Sequence, residues 1–227
     1  MQKYLFMAFI ASILCFTTSC GSNTGSSSGS SSDSDSSNEI SLFNGNDLSN
    51  WELIVAGDSV PAEQVFSVQD GAILILGNPF GYMYTKEKYR NYELNVEWSW
   101  VDEPTNSGIF VMIAETTNPF PNGIECQLGA GNAGDFVMLG GSNMLEYQVP
   151  EGRERPRFPM LRKREESNEK PAGEWNKAKI ITNEGVITVY INDLLQNEGT
   201  SPVKEGHIGL QSEGKRIQFR NITLIPQ

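Results

Sequence analysis

Two short runs, Asn106-Ser107-Gly108-Ile109-Phe110 and Gly123-Ile124-Glu125-Cys126-Gln127, carry a carboxylate and two side-chain amides that a hydrophobic core does not need. In the second run the two-residue period of a strand puts Ile124, Cys126 and Leu128 on one face, and Glu125 and Gln127 on the other. If the polar face lines a groove, Glu125 is placed for proton transfer, with Asn106 and Gln127 beside it to hold hydroxyl groups. If it is an outer surface, the same residues are only solvated edge chemistry. Cys126 has apolar neighbours on its own face, so it reads as a small buried hydrophobe rather than a nucleophile.

Other side chains with chemical capacity are sparse. His207 is the single histidine, which excludes a multi-histidine metal centre built by this chain alone. A calcium site made of oxygen ligands is left open without a recognisable loop to support it, and nothing in the sequence requires a cofactor. Arg153, Arg155, Arg157, Arg162, Lys163 and Arg164 form a basic stretch, read first as a solvated insertion and second as a lid or a seat for an acidic sugar. Of the four tryptophans, Trp98 and Trp100 belong to an apolar strand face, Trp51 anchors the domain entry, and Trp175 suits a sheet edge. One of them as a stacking platform for sugar is the sharper alternative.

The elements that must position these groups are strands. Tyr92 to Trp100 alternates cleanly, with Tyr92, Leu94, Val96, Trp98 and Trp100 on one side. Comparable runs occupy Phe66 to Val68, Ala72 to Leu76, Ile109 to Ala114, Phe136 to Leu139, Ala178 to Thr182, Val186 to Ile191, His207 to Gln211 and Ile217 to Ile225. Turns such as Gln69-Asp70-Gly71 and Asn183-Glu184-Gly185 separate them. Many short strands at this spacing predict an all-β sandwich of two antiparallel sheets. Helical turns are expected only at Thr85 to Asn91 and within Glu165 to Lys170.

Composition and the N-terminus bound the setting. A formal net charge of -11 argues against nucleic acid and anionic lipid as partners and leaves neutral sugars open. Residues 1–19 read as a signal peptide: a basic start, then an apolar run from Leu5 to Phe16 that is short for a membrane span. Thr17-Thr18-Ser19-Cys20-Gly21 resembles a bacterial lipoprotein processing site, with Cys20 as the lipid acceptor. Residues 20–38, rich in Ser, Gly and Asp, lack the apolar surface needed to fold and read as a tether. Asp33 and Asp35 resemble the surface-export signals of Bacteroidetes lipoproteins. The expectation is an exported outer-membrane lipoprotein, held to the membrane only through its lipid and facing the periplasm or the cell surface. Residues 39–227 then form one domain. Cys15 and Cys20 are accounted for by the leader and the lipid, so Cys126 has no partner for a disulfide.

Five runs in order resemble the 3-keto-disaccharide hydrolase family. They are Leu42-Phe43-Asn44-Gly45-Asn46-Asp47-Leu48-Ser49-Asn50-Trp51, Tyr84-Thr85-Lys86 with Tyr89 through Leu94, Asn106 through Phe110, Lys170-Pro171-Ala172-Gly173-Glu174-Trp175-Asn176, and Gly206 through Gln211 continuing to Phe219-Arg220-Asn221-Ile222. The resemblance implies a concanavalin-like jelly roll and a carbohydrate ligand. It also implies cleavage of glycosides oxidised at C3, where the ketone acidifies the C2 proton, a base removes it, the C1 group leaves and water adds. On this likeness Glu125 is the first choice for the base. Glu213, before the glycine of Leu210-Gln211-Ser212-Glu213-Gly214, is the second catalytic carboxylate, or else a polar turn residue. Asn106, Gln127, Gln211 and His207 are candidate substrate-binding residues. Met112 departs from the pattern, since many related sequences continue the Asn-Ser-Gly strand to an arginine. A non-catalytic glycan-binding lipoprotein is therefore the alternative function.

Overall fold

The computed structural model describes residues 38–57 and 60–227. The signal peptide, most of the tether and Cys20 lie outside the described residues. The alternating runs become strands β1 (Ile40–Ser41), β2 (Trp51–Val55), β3 (Phe66–Gln69), β4 (Ala72–Ile75), β5 (Gly81–Thr85), β6 (Tyr92–Trp100), β7 (Gly108–Glu115), β8 (Asn122–Gln127), β9 (Phe136–Leu139), β10 (Met160–Leu161), β11 (Asn176–Asn183), β12 (Val186–Ile191), β13 (Leu194–Thr200), β14 (His207–Ser212) and β15 (Ile217–Pro226). One sheet has the order β13-β12-β11-β6-β15-β4-β3, with β1 added beside β15, and the other has the order β10-β9-β8-β7-β14-β5-β2. All the strand pairs are antiparallel. This is the two-sheet sandwich expected from the strand spacing, in the jelly-roll form that the resemblance implies.

The inner faces of the two sheets meet in one core. Leu94, Trp98, Trp100, Ile180, Val189 and Phe219 come from the first sheet; Met83, Ile109, Val111, Ile124, Cys126, Phe136 and Leu210 come from the second. Trp98 and Trp100 lie in this core, and Trp51 is buried at the entry with its Nε1 donating to the Leu42 carbonyl at 2.9 Å. Trp175 is half-buried beneath the Arg220 guanidinium, whose carbon stands 3.8 Å from the ring centroid. Bulges adjust which side chains face inward. At Asn221, φ is +49°, and buried positions on β15 shift from Ile217 and Phe219 to Ile222 and Leu224.

The helical turns differ from expectation. Residues 86–91 are irregular because Tyr89 pairs with Gly206 through two backbone hydrogen bonds of 2.9 and 3.1 Å. Residues 165–170 are irregular because side chains capture the backbone: Asn168 Nδ2 donates to the Ile191 carbonyl at 2.6 Å and Lys170 N donates to Asn176 Oδ1 at 2.7 Å. The α-helical turn is instead α1 (Ala62–Val65), which follows Pro61 with its φ of −57°.

The second sheet carries apolar side chains on both faces. Tyr82, Phe110, Ile113, Val137 and Leu139 form a second buried cluster on its outer side. Loops and the segment around Phe120 and Met160 cover this outer cluster, so side chains on that face leave water without entering the main core. Trp98→Ala, which removes a side chain with 0 % exposure from the main core, is expected to cost about 3–5 kcal/mol. Urea unfolding should show this as a lower midpoint with an unchanged slope.

Candidate functional site

Register across the second sheet aligns the groups singled out in the sequence. Glu125 on β8 stands opposite Phe110 on β7 and Val137 on β9, and Val137 stands opposite Met160 on β10. One step along, Gln127 stands opposite Gly108, and Gln211 on β14 lies beside Tyr82 on β5. Glu125 and Gln127 thus share the outer face, while Ile124 and Cys126 face the core. That face is a groove. A cavity of about 150 Å³ is lined on its polar side by Asn106, Glu125, Gln127, Gln211 and Glu213, and on its apolar side by residues that include Phe120, Val137, Phe158 and Met160.

Local structure explains how Glu125 is accommodated. Gly108 lies under it: a Cβ at Gly108 would fall 2.5 Å from Glu125 Oε1 and 2.6 Å from its Cγ. The missing side chain is therefore the space the carboxyl fills. Ser107 ties β7 to β14 by donating to the Gln211 carbonyl at 3.0 Å. The turn after β14 is held to the loop before β7, since Lys215 N donates to Thr105 Oγ1 at 2.8 Å. These bonds fix Glu213 near Asn106. Gln127 Oε1 accepts from Gly129 N at 2.7 Å, which leaves its amide nitrogen to donate to a ligand.

The electrostatics are unusual for a strand carboxylate. Glu125 is 2 % exposed, and its Oε1 has no hydrogen-bond partner. Burial, reinforced by the neighbouring charge of Glu213, holds its carboxyl well above the ordinary range. Burial also raises the Glu213 carboxyl, with the Asn106 side chain pulling the other way. Gln211 Nε2 donates to Glu213 Oε2 at 2.8 Å, while Gln211 Oε1 is buried without a donor. Two buried oxygens on one face therefore lack hydrogen-bond partners within the protein. Among the described residues, the other buried polar side-chain atoms without partners belong to Tyr92, Trp98, Trp100 and Gln196, none of which lines this cavity.

Of the residues expected at a site, Asn106, Glu125, Gln127, Gln211 and Glu213 meet in the cavity, and His207 does not line it. Its Nδ1 donates to the Thr85 carbonyl at 2.8 Å, and its ring packs edge-on to Tyr84 at 5.2 Å. A bulge at Met112, where φ is +53°, turns Met112 into the core and leaves Ile113 on the outer face. The basic stretch is divided. Arg155 bonds to Asn143 and the Ser142 carbonyl, and Arg162 pairs with the buried Asp135 at 2.7 Å, while Phe158 reaches the cavity. Sequence reasoning missed the apolar wall of Phe120, Val137, Phe158 and Met160. A usable signal existed in Phe136-Val137-Met138-Leu139, which has no polar alternation and so marks a strand covered on both faces. No group of three or more His, Cys, Asp or Glu side chains arranged to hold a metal occurs among the described residues.

A jelly-roll sandwich with a buried carboxyl group on the outer face of one sheet, beside the partly buried Glu213, is the class that fold and cavity define. Residues 38–225 match the family described as the 3-keto-alpha-glucoside-1,2-lyase-like domain, and the chain belongs to that family. A Bacteroides thetaiotaomicron protein named 3-keto-disaccharide hydrolase is 27% identical over 232 residues, covering 81% of this chain and 76% of that protein. A crystal structure of a Parabacteroides distasonis protein, named "Putative glycosyl hydrolase", superposes with a TM-score of 0.60 at 22% identity, over 83% of this chain and 99% of that one. The carbohydrate-binding module CBM66 from Bacillus subtilis superposes with a TM-score of 0.56 at 10% identity, over 78% of this chain and 95% of the module. The two structural likenesses speak for the fold.

The raised Glu125 carboxyl has a stability consequence. Above the ordinary glutamate pKa of about 4.3 and below the raised native value, the unfolded chain has lost a proton that the native chain retains. Stability therefore falls as pH rises through that window, by about 1.4 kcal/mol per pH unit for one such proton. Glu125→Gln removes this dependence, so thermal unfolding of the variant should decline less with pH than that of the wild type. Gly108→Ala should displace the Glu125 side chain and destabilise the fold by about 1–3 kcal/mol, measured by urea unfolding.

Proposed function

We propose that the protein hydrolyses glycosides oxidised at C3 of the sugar, by elimination followed by hydration. Support comes from the family's description, the name of its Bacteroides relative and, above all, the burial of Glu125 beside Glu213 at two acceptors without donors. Carbohydrate is the ligand class in this reading. Its hydroxyl groups supply donors to Gln211 Oε1 and Glu125 Oε1, and the amides of Asn106 and Gln127 orient the ring.

The pair shares its protons unequally. Glu213 is only partly buried and receives a hydrogen bond from Gln211, so it keeps the negative charge, while the more buried Glu125 keeps a proton. This reverses the order read from the sequence, in which Glu125 was the base. Glu213 takes the C2 proton made acidic by the C3 ketone, and Glu125 gives its proton to the oxygen leaving C1 as the C1–O bond breaks. Glu125, now ionised, takes a proton from the water that attacks C1, and Glu213 returns a proton to C2. The net change is addition of one water across the glycosidic bond, and both carboxyl groups return to their starting states. The scheme draws on side chains alone.

Release of the leaving alcohol from a 3-keto-glucoside tests this reading. In D₂O the product should carry deuterium at C2. Glu125→Gln and Glu213→Gln should each lower kcat at least a hundredfold, the scale of lost general acid/base catalysis. Met112, at the position where many related sequences carry an arginine, is turned into the core, and this departure favours a second reading as a glycan-binding protein. Saturable binding of sugar without turnover in the wild type is the outcome that selects it.

The N-terminal reading enters the proposal as localisation: export, lipidation at Cys20 and tethering to the outer membrane by residues 20–38. Labelling of cells with a radioactive fatty acid should mark the wild-type protein and leave Cys20→Ala unmarked.

A further inference from the structure

The cavity holding the carboxyl groups is small. Its volume of about 150 Å³ lies below the roughly 300–1,000 Å³ of pockets that enclose a complete small ligand. It takes little more than one sugar ring, so the group bonded to C1 must lie outside. A second groove of about 260 Å³ adjoins it, and Phe120 and Phe158 line both.

The adjoining groove has a distinct chemistry. Phe120 packs against Phe158 edge-on with ring centroids 5.7 Å apart and against Phe80 at 6.3 Å, which makes a continuous aromatic surface. Phe80 is 47% exposed and Phe158 is 38% exposed, although both are large apolar side chains. Arg157 also lines this groove, with its guanidinium carbon 5.0 Å over the Phe158 ring. Among the described residues Arg157 has no carboxylate within ion-pair distance, in a chain whose formal net charge is -11. Gly140 and Gly141 line the same groove without side chains to fill it.

We propose that this groove is the leaving-group subsite and that it takes a planar aromatic aglycone bearing an acidic substituent. The ring of the aglycone lies against Phe120 and Phe158, and its anion meets Arg157. The inference rests on the glycoside-cleavage reading for the identity of the neighbouring cavity, but its binding chemistry is independent of turnover.

Calorimetric titration of the full chain with methyl, phenyl and 4-carboxyphenyl α-glucosides tests it, because these sugars lack the ketone and persist during measurement. The phenyl compound should bind about three- to tenfold more tightly than the methyl compound, and the carboxyphenyl compound more tightly still. Phe158→Ala should abolish the phenyl advantage. Arg157→Ala should remove only the increment due to the carboxylate, and added salt should weaken that increment in the wild type. Equal affinity for methyl and phenyl compounds, no binding of any of them, or a phenyl advantage that survives Phe158→Ala overturns the subsite. Parallel assays with the 3-keto forms separate the two ideas. Aryl preference in binding without turnover rejects cleavage and retains the subsite; turnover without aryl preference does the reverse.

Discussion

Burial of the Glu125 carboxyl without an intramolecular partner for Oε1 is the constraint on which the rest of the site depends. Removing an ionised carboxylate from water in this way costs more than a fold can readily offset, so the group keeps its proton instead. Gly108 supplies the space, and Glu213 supplies a nearby negative charge that makes ionisation harder still. The result is two carboxyl groups in one small cavity, both raised by burial, with Glu125 the more buried of the two. Gln211 donates to Glu213 and presents an unsatisfied oxygen of its own.

The sandwich makes this possible because its second sheet is covered on both sides. The inner face belongs to the main core, and the outer face carries Tyr82, Phe110, Ile113, Val137 and Leu139 as a second apolar layer. A carboxyl rising from that layer has low-dielectric neighbours along its own row, Phe110 on one side and Val137 on the other. A sheet with one solvated face would have left Glu125 in water with an ordinary titration. The first sheet shows the contrast: a larger hollow of about 540 Å³ on it is lined by Glu93, Glu97 and Lys177, and Glu97 is paired with Arg220 at 2.8 Å. None of the buried side-chain atoms without a partner among the described residues belongs to that hollow, so it carries no comparable deficit.

Strand periodicity made much of this legible in advance. The face assignment of Glu125 and Gln127 follows from Ile124 and Cys126 facing inward, and β6, β9 and β12 coincide with runs whose alternation or apolar content is plain. Strands β5 and β13 were hidden, the first by the glycine at its start and the second by polar residues. Gly81 is required because a Cβ there would strike the Ile54 carbonyl, and Gln196 and Asn197 are buried with their amides bonded to loop carbonyls. His207 shares a strand with Gln211 but lies outside the cavity lining, with its Nδ1 donating to the Thr85 carbonyl. The apolar wall was unreadable for a different reason: Phe120 and Phe158 come from loops, where no period constrains which residues meet.

The central claim is that the Glu125 carboxyl titrates well above the ordinary glutamate range because it is buried and because Glu213 stands beside it. Carbon-13 NMR of the glutamate side-chain carboxyl groups, followed against pH in the wild type and in Glu213→Gln, measures this directly. Glu125 should titrate well above the ordinary glutamate range in the wild type, and its midpoint should fall in Glu213→Gln while remaining elevated by burial. An ordinary midpoint for Glu125, or one that does not respond to Glu213→Gln, would contradict the account.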